Sequence, residues 1–264
     1  MESRSSRQSF LGPDASRIFR ECTIAVVGLG GGGSHVAQQL AHLGIWNFLL
    51  YDSDKAESSN MNRLIGASTE DVRHGALKVD IADRLIVAVN PEARVQSHRC
   101  VWQEAAESIR EADVILSCVD SYAARQDLEV TARRYLIPLI DIGMDVFFAD
   151  SKRHIAGQVI LSLPNGPCMR CLGFLNDEDL QREAEQYGAA GGRPQVVWTN
   201  GVLASLAVGI AVNLLTGWNG LPGSGEYLHF DGNTNKVWRS PRLDYAPEVC
   251  PHFPPEFVGE TTLD

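Results

Sequence analysis

The chain has 264 residues, 44% hydrophobic and 21% charged, with 33 acidic against 23 basic side chains and a net charge of −10. This composition excludes a disordered, collagen-like or coiled-coil chain. The acidic balance also argues against a nucleic-acid partner, which needs positive surface for phosphate. Six cysteines behind a polar N-terminus without an apolar signal segment read as reduced thiols or metal ligands of a cytoplasmic protein, not as a disulfide framework.

Residues 1–20 read as a polar N-terminal arm. Residues 23–27 are a short apolar run ending in Gly28, the pattern of a buried parallel strand. From Ser34 the period changes. Val36, Leu40 and Leu43 fall at i, i+4 and i+7, a helix closed by Gly44. A second strand covers 48–51 and ends at Asp52. Residues 77–89 form a helix stopped by Asn90-Pro91. A weak strand follows at 93–97, then a strand at 114–118, a helix at 122–135 and a strand at 138–142. Strand and helix alternate from 23 to 143, which predicts an α/β fold, a Rossmann-like doubly wound sheet.

After Gly143 two strands, 146–149 and 154–162, follow without a helix between them, so the parallel N-terminal half is continued by antiparallel strands. The polar stretch 175–193 reads as a loop or lid. No charged residue occurs from Pro194 to Gly225, and 196–216 has the length of a membrane span. Thr199, Asn200, Ser205 and Asn213 interrupt it, so the expectation is a helix buried in a soluble protein, with no membrane partner. Residues 227–230 and 236–239 flank Asp231-Gly232-Asn233, a hairpin signal. One domain over 21–245 and a tail over 246–264, Pro-rich from Pro241, complete the organisation.

The first strand runs into Gly28-Leu29-Gly30-Gly31-Gly32-Gly33 and then into a helix. Glycines at Gly28, Gly30, Gly31 and Gly33 let backbone N–H groups approach a phosphate chain at the positive end of a helix. Asp52, at the end of the second strand, is placed to hold ribose hydroxyls. Asp54, Asn60, Arg63, Lys78 and Asp120 follow. A hydride-transfer enzyme needs no such set around the phosphates. Attack on the α-phosphate of ATP does, because the negative charge that builds there must be neutralised. Arg63 and Lys78 would supply cations, and Asp120 would bind Mg²⁺. Viewed singly, Arg63 is also a solvated loop arginine, Lys78 an exposed helix lysine and Asp120 a helix cap. The order and spacing of the whole set favour phosphate chemistry.

Cys168-Met169-Arg170-Cys171 suits two thiolates on one tetrahedral Zn²⁺. A redox C-x-x-C needs a thioredoxin-like context that is missing here, although a reduced, metal-free pair remains an alternative.

These motifs together resemble the E1-like activating superfamily, which includes ThiF, MoeB and HesA-type adenylyltransferases and the activators of ubiquitin-like modifiers. The segments YDSDKAESSNMNRL and LSCVDSYAAR resemble most the compact E1 of the ubiquitin-fold modifier. The resemblance covers most of the chain. It implies adenylation of the C-terminal glycine of a ubiquitin-like or sulfur-carrier β-grasp protein, with ATP, Mg²⁺ and Zn²⁺ as cofactors. It implies a homodimer in which Arg7 reaches the partner's site, and Asn60 orients phosphates or ribose. Cys250 and His252 would complete the zinc site, where the superfamily uses a second C-x-x-C. The crossover loop, about 172–196, would guide the incoming tail. Members that form a thioester carry a cysteine there, and this chain has none between Cys171 and Cys250. The expectation is therefore adenylation without a thioester in that loop, followed by attack from a sulfur donor, an amine or a cysteine on an E2-like protein. Cys22, Cys100 and Cys118 read as buried structural thiols. The alternatives are a pseudo-E1 partner subunit and an NAD-dependent or tRNA-modifying Rossmann enzyme.

Overall fold

A computed structural model describes residues 6–185, 194–221, 223, 225–254 and 258–259. Five parallel strands come first: β1 (Thr23–Val27), β2 (Asn47–Tyr51), β3 (Arg94–His98), β4 (Val114–Ser117) and β5 (Leu139–Ala149). Then β6 (Lys152–Ser162), β7 (Glu226–Asp231) and β8 (Lys236–Arg239) extend the same sheet. The order is β3-β2-β1-β4-β5-β6-β7-β8, parallel as far as β5 and antiparallel from there to β8. The Rossmann-like mixed sheet expected from the alternation is thus present. The strand order reverses between β1 and β4, where Val27 pairs with Ser117. Ligands of open α/β sheets bind beyond the strand ends at such a switch point.

The helices are α1 (Ala15–Glu21), α2 (Gly31–Leu43), α3 (Thr69–His74), α4 (Lys78–Val89), α5 (Ala106–Ile109), α6 (Tyr122–Arg134), α7 (Asp177–Glu185) and α8 (Val197–Thr216). On one face of the sheet, residues of α1, α2, α4 and α8 form the larger apolar cluster with Ile24, Val26, Leu116 and Ile140. On the other face, Leu128 and Ala132 of α6 pack with Ala25, Ile115, Leu139 and Met169. The apolar helix α8 is the one described helix long and apolar enough to cross a membrane. It buries Leu203, Ala204, Ala207, Val208, Ala211 and Val212 in the larger cluster.

Four readings differ from the structure. The polar arm contains α1, whose Ala15 and Phe19 are buried together with Leu11. Seven residues with two apolar anchors are too short for a clear period. Helix α2 starts at Gly31 rather than Ser34, so the glycines form its first turn. The segments 138–142 and 146–149 are one continuous strand that passes through Gly143. Within the expected loop 175–193, residues Asp177–Glu185 are helical, with three acids in the first turn and no buried residue. Residues 186–193 of that stretch lie outside the described residues, as do 1–5 and most of the expected tail beyond 254.

Candidate active site and metal centre

A cavity of about 560 Å³ opens at the switch point, within the usual range of about 300–1,000 Å³ for small-molecule sites. Gly28, Gly30, Gly31 and Gly32 line it, with Tyr51 at the end of β2 and Cys118 and Val119 just after β4. Asp52, Asp54, Asn60, Arg63, Lys78 and Asp120 all line it. Six of the predicted residues from four separate segments therefore converge beside the glycine turn.

Gly33 is the exception within the turn. It does not line the cavity; a Cβ there would fall on the carbonyl oxygen of Gly28. Its role is close packing of α2 against the end of β1. Arg7 lies exposed on the 3-10 turn Ser6–Leu11 and does not line the cavity of its own chain.

Asp52 is held from two sides. Leu29 N–H donates to its Oδ2 at 2.7 Å, and Asp54 N–H to its Oδ1 at 2.8 Å. Burial pushes its carboxyl up, while the Lys78 ammonium and the two amides pull against that shift. Lys78 Nζ donates to Asp54 Oδ2 at 2.6 Å. Arg63 Nη1 donates to the Ser59 carbonyl at 2.6 Å and to Asn62 Oδ1 at 2.9 Å. Asn60 Oδ1 accepts from Glu57 N–H at 3.1 Å and closes a capping box on the short 3-10 helix Ser58–Asn60. That cap fixes the loop from which Arg63 projects.

Arg125 and Asn200 are among the cavity-wall residues to which the sequence assigns no role. Arg125, on the first turn of α6, donates from Nε to the fully buried Asp141 at 3.1 Å and from Nη2 to the Val119 carbonyl at 2.8 Å. Burial pushes the Asp141 carboxyl up, and Arg125 and Ser117 oppose this. The pair ties β5 to the turn that carries Asp120. Asn200, at the start of α8, is the second. Its signal in the sequence is a polar pair, Thr199-Asn200, opening an otherwise apolar helix. Cys100 and Cys118 also line the cavity and are half-buried, so of the three cysteines read as buried only Cys22 is fully so. Burial pushes the Cys118 thiol up.

The second site joins two distant segments. Cys168, Cys171, Cys250 and His252 place their ligand atoms within 4.8 Å of one another. Sγ of Cys168 is 3.6 Å from Sγ of Cys171 and 3.4 Å from Nδ1 of His252. Sγ of Cys171 is 3.5 Å from Sγ of Cys250 and 3.4 Å from Nδ1 of His252. Tetrahedral Zn²⁺ with bonds of about 2.3 Å to sulfur requires S···S separations of about 3.7 Å. The four groups fit that ion, which would supply electrostatic cross-linking and no redox chemistry. Burial raises the Cys168 thiol, so a bound cation would be needed to ionise it. For Cys250 burial also acts upward, but hydrogen bonds from His252, the two neighbouring thiols and Phe253 outweigh it and lower the thiol.

The pattern matches the model of the ThiF family over residues 3–252. The chain belongs to the ThiF family. It is 29% identical over 255 residues to the sulfur carrier protein ThiS adenylyltransferase of Escherichia coli, covering 94% of this chain and 93% of that one. It is 32% identical over 173 residues to ubiquitin-like modifier-activating enzyme 5 of Drosophila willistoni, covering 60% of this chain and 40% of that enzyme. The E. coli MccB structure with succinimide superposes with a TM-score of 0.74 at 19% identity, over 91% of this chain and 72% of that one. That likeness concerns the fold. As a member of the ThiF family aligned end to end with such an enzyme, the chain is an adenylyltransferase.

Proposed function

We propose that this ThiF-family protein adenylates the C-terminal carboxylate of a small ubiquitin-like or sulfur-carrier protein. The observation that carries this reading is the convergence of Arg63, Lys78 and Asp120 with the glycine turn in one cavity. In the reaction a carboxylate oxygen bonds to the α-phosphorus of ATP, the bond to the β-phosphate oxygen breaks, and pyrophosphate leaves. No proton changes hands, so the protein's task is positioning and charge neutralisation. The N-terminal turn of α2 presents N–H groups to the phosphates, and Asp52 faces the ribose. Arg63 and Lys78 offset the charge that grows on the phosphates. Asp120 would hold Mg²⁺, and Arg7 would enter from a second copy of the chain in a homodimer. The Cys168–Cys171–Cys250–His252 cluster would hold Zn²⁺ and fasten the C-terminal segment to the turn before α7.

The segment 172–196 would guide the carrier's tail. With no cysteine in that segment, the adenylate would pass to an outside nucleophile: a sulfur donor, an amine or a thiol of an E2-like protein. The reading places the protein in the cytoplasm. The test is ATP–pyrophosphate exchange with β-grasp proteins ending in glycine, comparing the wild type with Asp120→Ala. Exchange that needs the carrier and disappears in the variant supports adenylation. ATP binding without exchange for any carrier would point to another acceptor. A chain that binds no ATP would be a pseudo-E1 subunit.

A further inference from the structure

Along one wall of the cavity a polar path runs from Arg63 to α8. Arg63 Nη1 donates to Asn62 Oδ1 at 2.9 Å, Asn62 Nδ2 to the Gln195 carbonyl at 3.1 Å, and Asn200 Nδ2 to Gln195 Oε1 at 3.5 Å. Asn200 is 5% exposed and is one of the residues that line the cavity. Its carboxamide packs against the first turn of α2. A Cβ at Gly31 would fall on Asn200 Nδ2 and come within 3.3 Å of Arg63 Cδ; one at Gly32 would lie 3.8 Å from Asn200 Oδ1. Asn200 and Arg63 therefore meet over the same glycine, and all three line the cavity. Neither α2 nor α8 carries an acid in its first turn.

The 3.5 Å contact to Gln195 is at the long limit of hydrogen bonding and is correspondingly weak. A carboxamide nitrogen has two N–H donors. One of them is engaged only by this weak bond, and a small rotation serves a better acceptor.

We infer that Asn200 is a further catalytic residue of the adenylation proposed above, donating from Nδ2 to a non-bridging oxygen of the ATP α-phosphate. That oxygen gains charge as the carboxylate attacks and before the pyrophosphate bond has broken. A neutral donor suits the position, because it stabilises this charge without surrendering a proton to the attacking carboxylate. The inference rests on the adenylation reading for its rate effect but not for its contact with phosphate.

The experiment uses the full chain with Asn200→Asp and Asn200→Ala, each checked for a wild-type melting curve. Calorimetry compares binding of ATP and of adenosine, and exchange kinetics follow. Asn200→Asp sets a like charge beside the phosphate and weakens ATP by about ten-fold or more, leaving adenosine within about two-fold. Asn200→Ala keeps ATP affinity within about three-fold and lowers exchange turnover by about 10²-fold. ATP binding by Asn200→Asp equal to wild type overturns the assignment. So does an Asn200→Ala protein that exchanges within about two-fold of wild type. A wild-type chain that binds ATP yet exchanges with no acceptor defeats the adenylation reading instead, and the ATP-against-adenosine comparison still decides whether Asn200 meets the phosphate.

Discussion

Lys78 Nζ donates to Asp54 Oδ2 across 2.6 Å, the lysine side chain 13% exposed and the carboxylate 66% exposed. The backbone repeats the link, since Lys78 N–H donates to the Asp54 carbonyl at 2.9 Å. Lys78 is the first residue of α4, where the helix dipole disfavours a cation. A cation there gains nothing from the helix dipole, and under the adenylation reading proposed above its partner is a phosphate. Replacing it with methionine is expected to lower ATP–pyrophosphate exchange by about 10²-fold or more while leaving the melting temperature nearly unchanged. Asp54→Asn, which keeps the loop but removes the counter-charge, is expected to act more weakly. Steady-state exchange kinetics of both variants measure this.

Two glycines of the turn are expected to behave differently. A Cβ at Gly33 would fall on the Gly28 carbonyl, whereas nothing lies within 4 Å of one at Gly30. Gly33→Ala forces α2 away from β1 and is expected to cost about 1–3 kcal/mol, the scale of core overpacking. Gly30→Ala keeps the stability but narrows the cavity it lines, so its effect falls on ATP affinity. Denaturant melts and nucleotide titration of the pair separate packing from binding.

Metal analysis of the purified chain is expected to find one zinc per protomer. Cys250→Ser and His252→Ala each remove a ligand of the four-atom cluster and are expected to release zinc to a chromophoric chelator far faster than wild type. His252→Cys restores a fourth ligand and is expected to retain the ion. Chelation is also expected to lower the melting temperature, because a bound ion would join segments some 80 residues apart in the chain.

Asp71 predicts a pH dependence. It accepts from Ser68 N–H at 2.8 Å, Ser68 Oγ at 2.7 Å and Arg84 Nη1 and Nη2 at 2.7 and 2.8 Å. The Arg84 guanidinium holds its carboxyl well below the usual carboxylate range. A depressed folded value means the contribution is complete above the unfolded value of about 3.9 and is lost as pH falls from there toward the folded one. Asp71→Asn is expected to cost about 1–2 kcal/mol at neutral pH, kept low because Arg84 is half exposed to solvent. It is also expected to flatten the decline of stability below about pH 4. Urea melts between acid and neutral pH test both.

The readable parts of this chain were those carried by local period or by a glycine pattern. The alternation from Thr23 to Ile142 announced the sheet, and the uncharged run after Pro194 announced a buried helix. Short elements escaped notice because seven or nine residues hold too few anchors for a period: α1 has two buried apolar residues and α7 has none. The break placed at Gly143 was a propensity effect. Pairing with β6 from Leu139↔Ser162 to Ala149↔Lys152 supplies the ladder that the glycine lacks by itself.

The candidate site divides along the same line. The residue types able to meet phosphate and zinc, and their order, were determined by the sequence. Only the tertiary structure decided that Gly33 packs while Gly31 faces the cavity, that Arg125 braces the Asp120 turn through Asp141, and that Asn200 comes to lie over Gly31. The Arg125–Asp141 and Asn200–Gly31 contacts join residues 16 and 169 apart. No local pattern encodes these two, because they arise when the sheet brings the ends of β1, β4 and β5 together and α8 packs across α2.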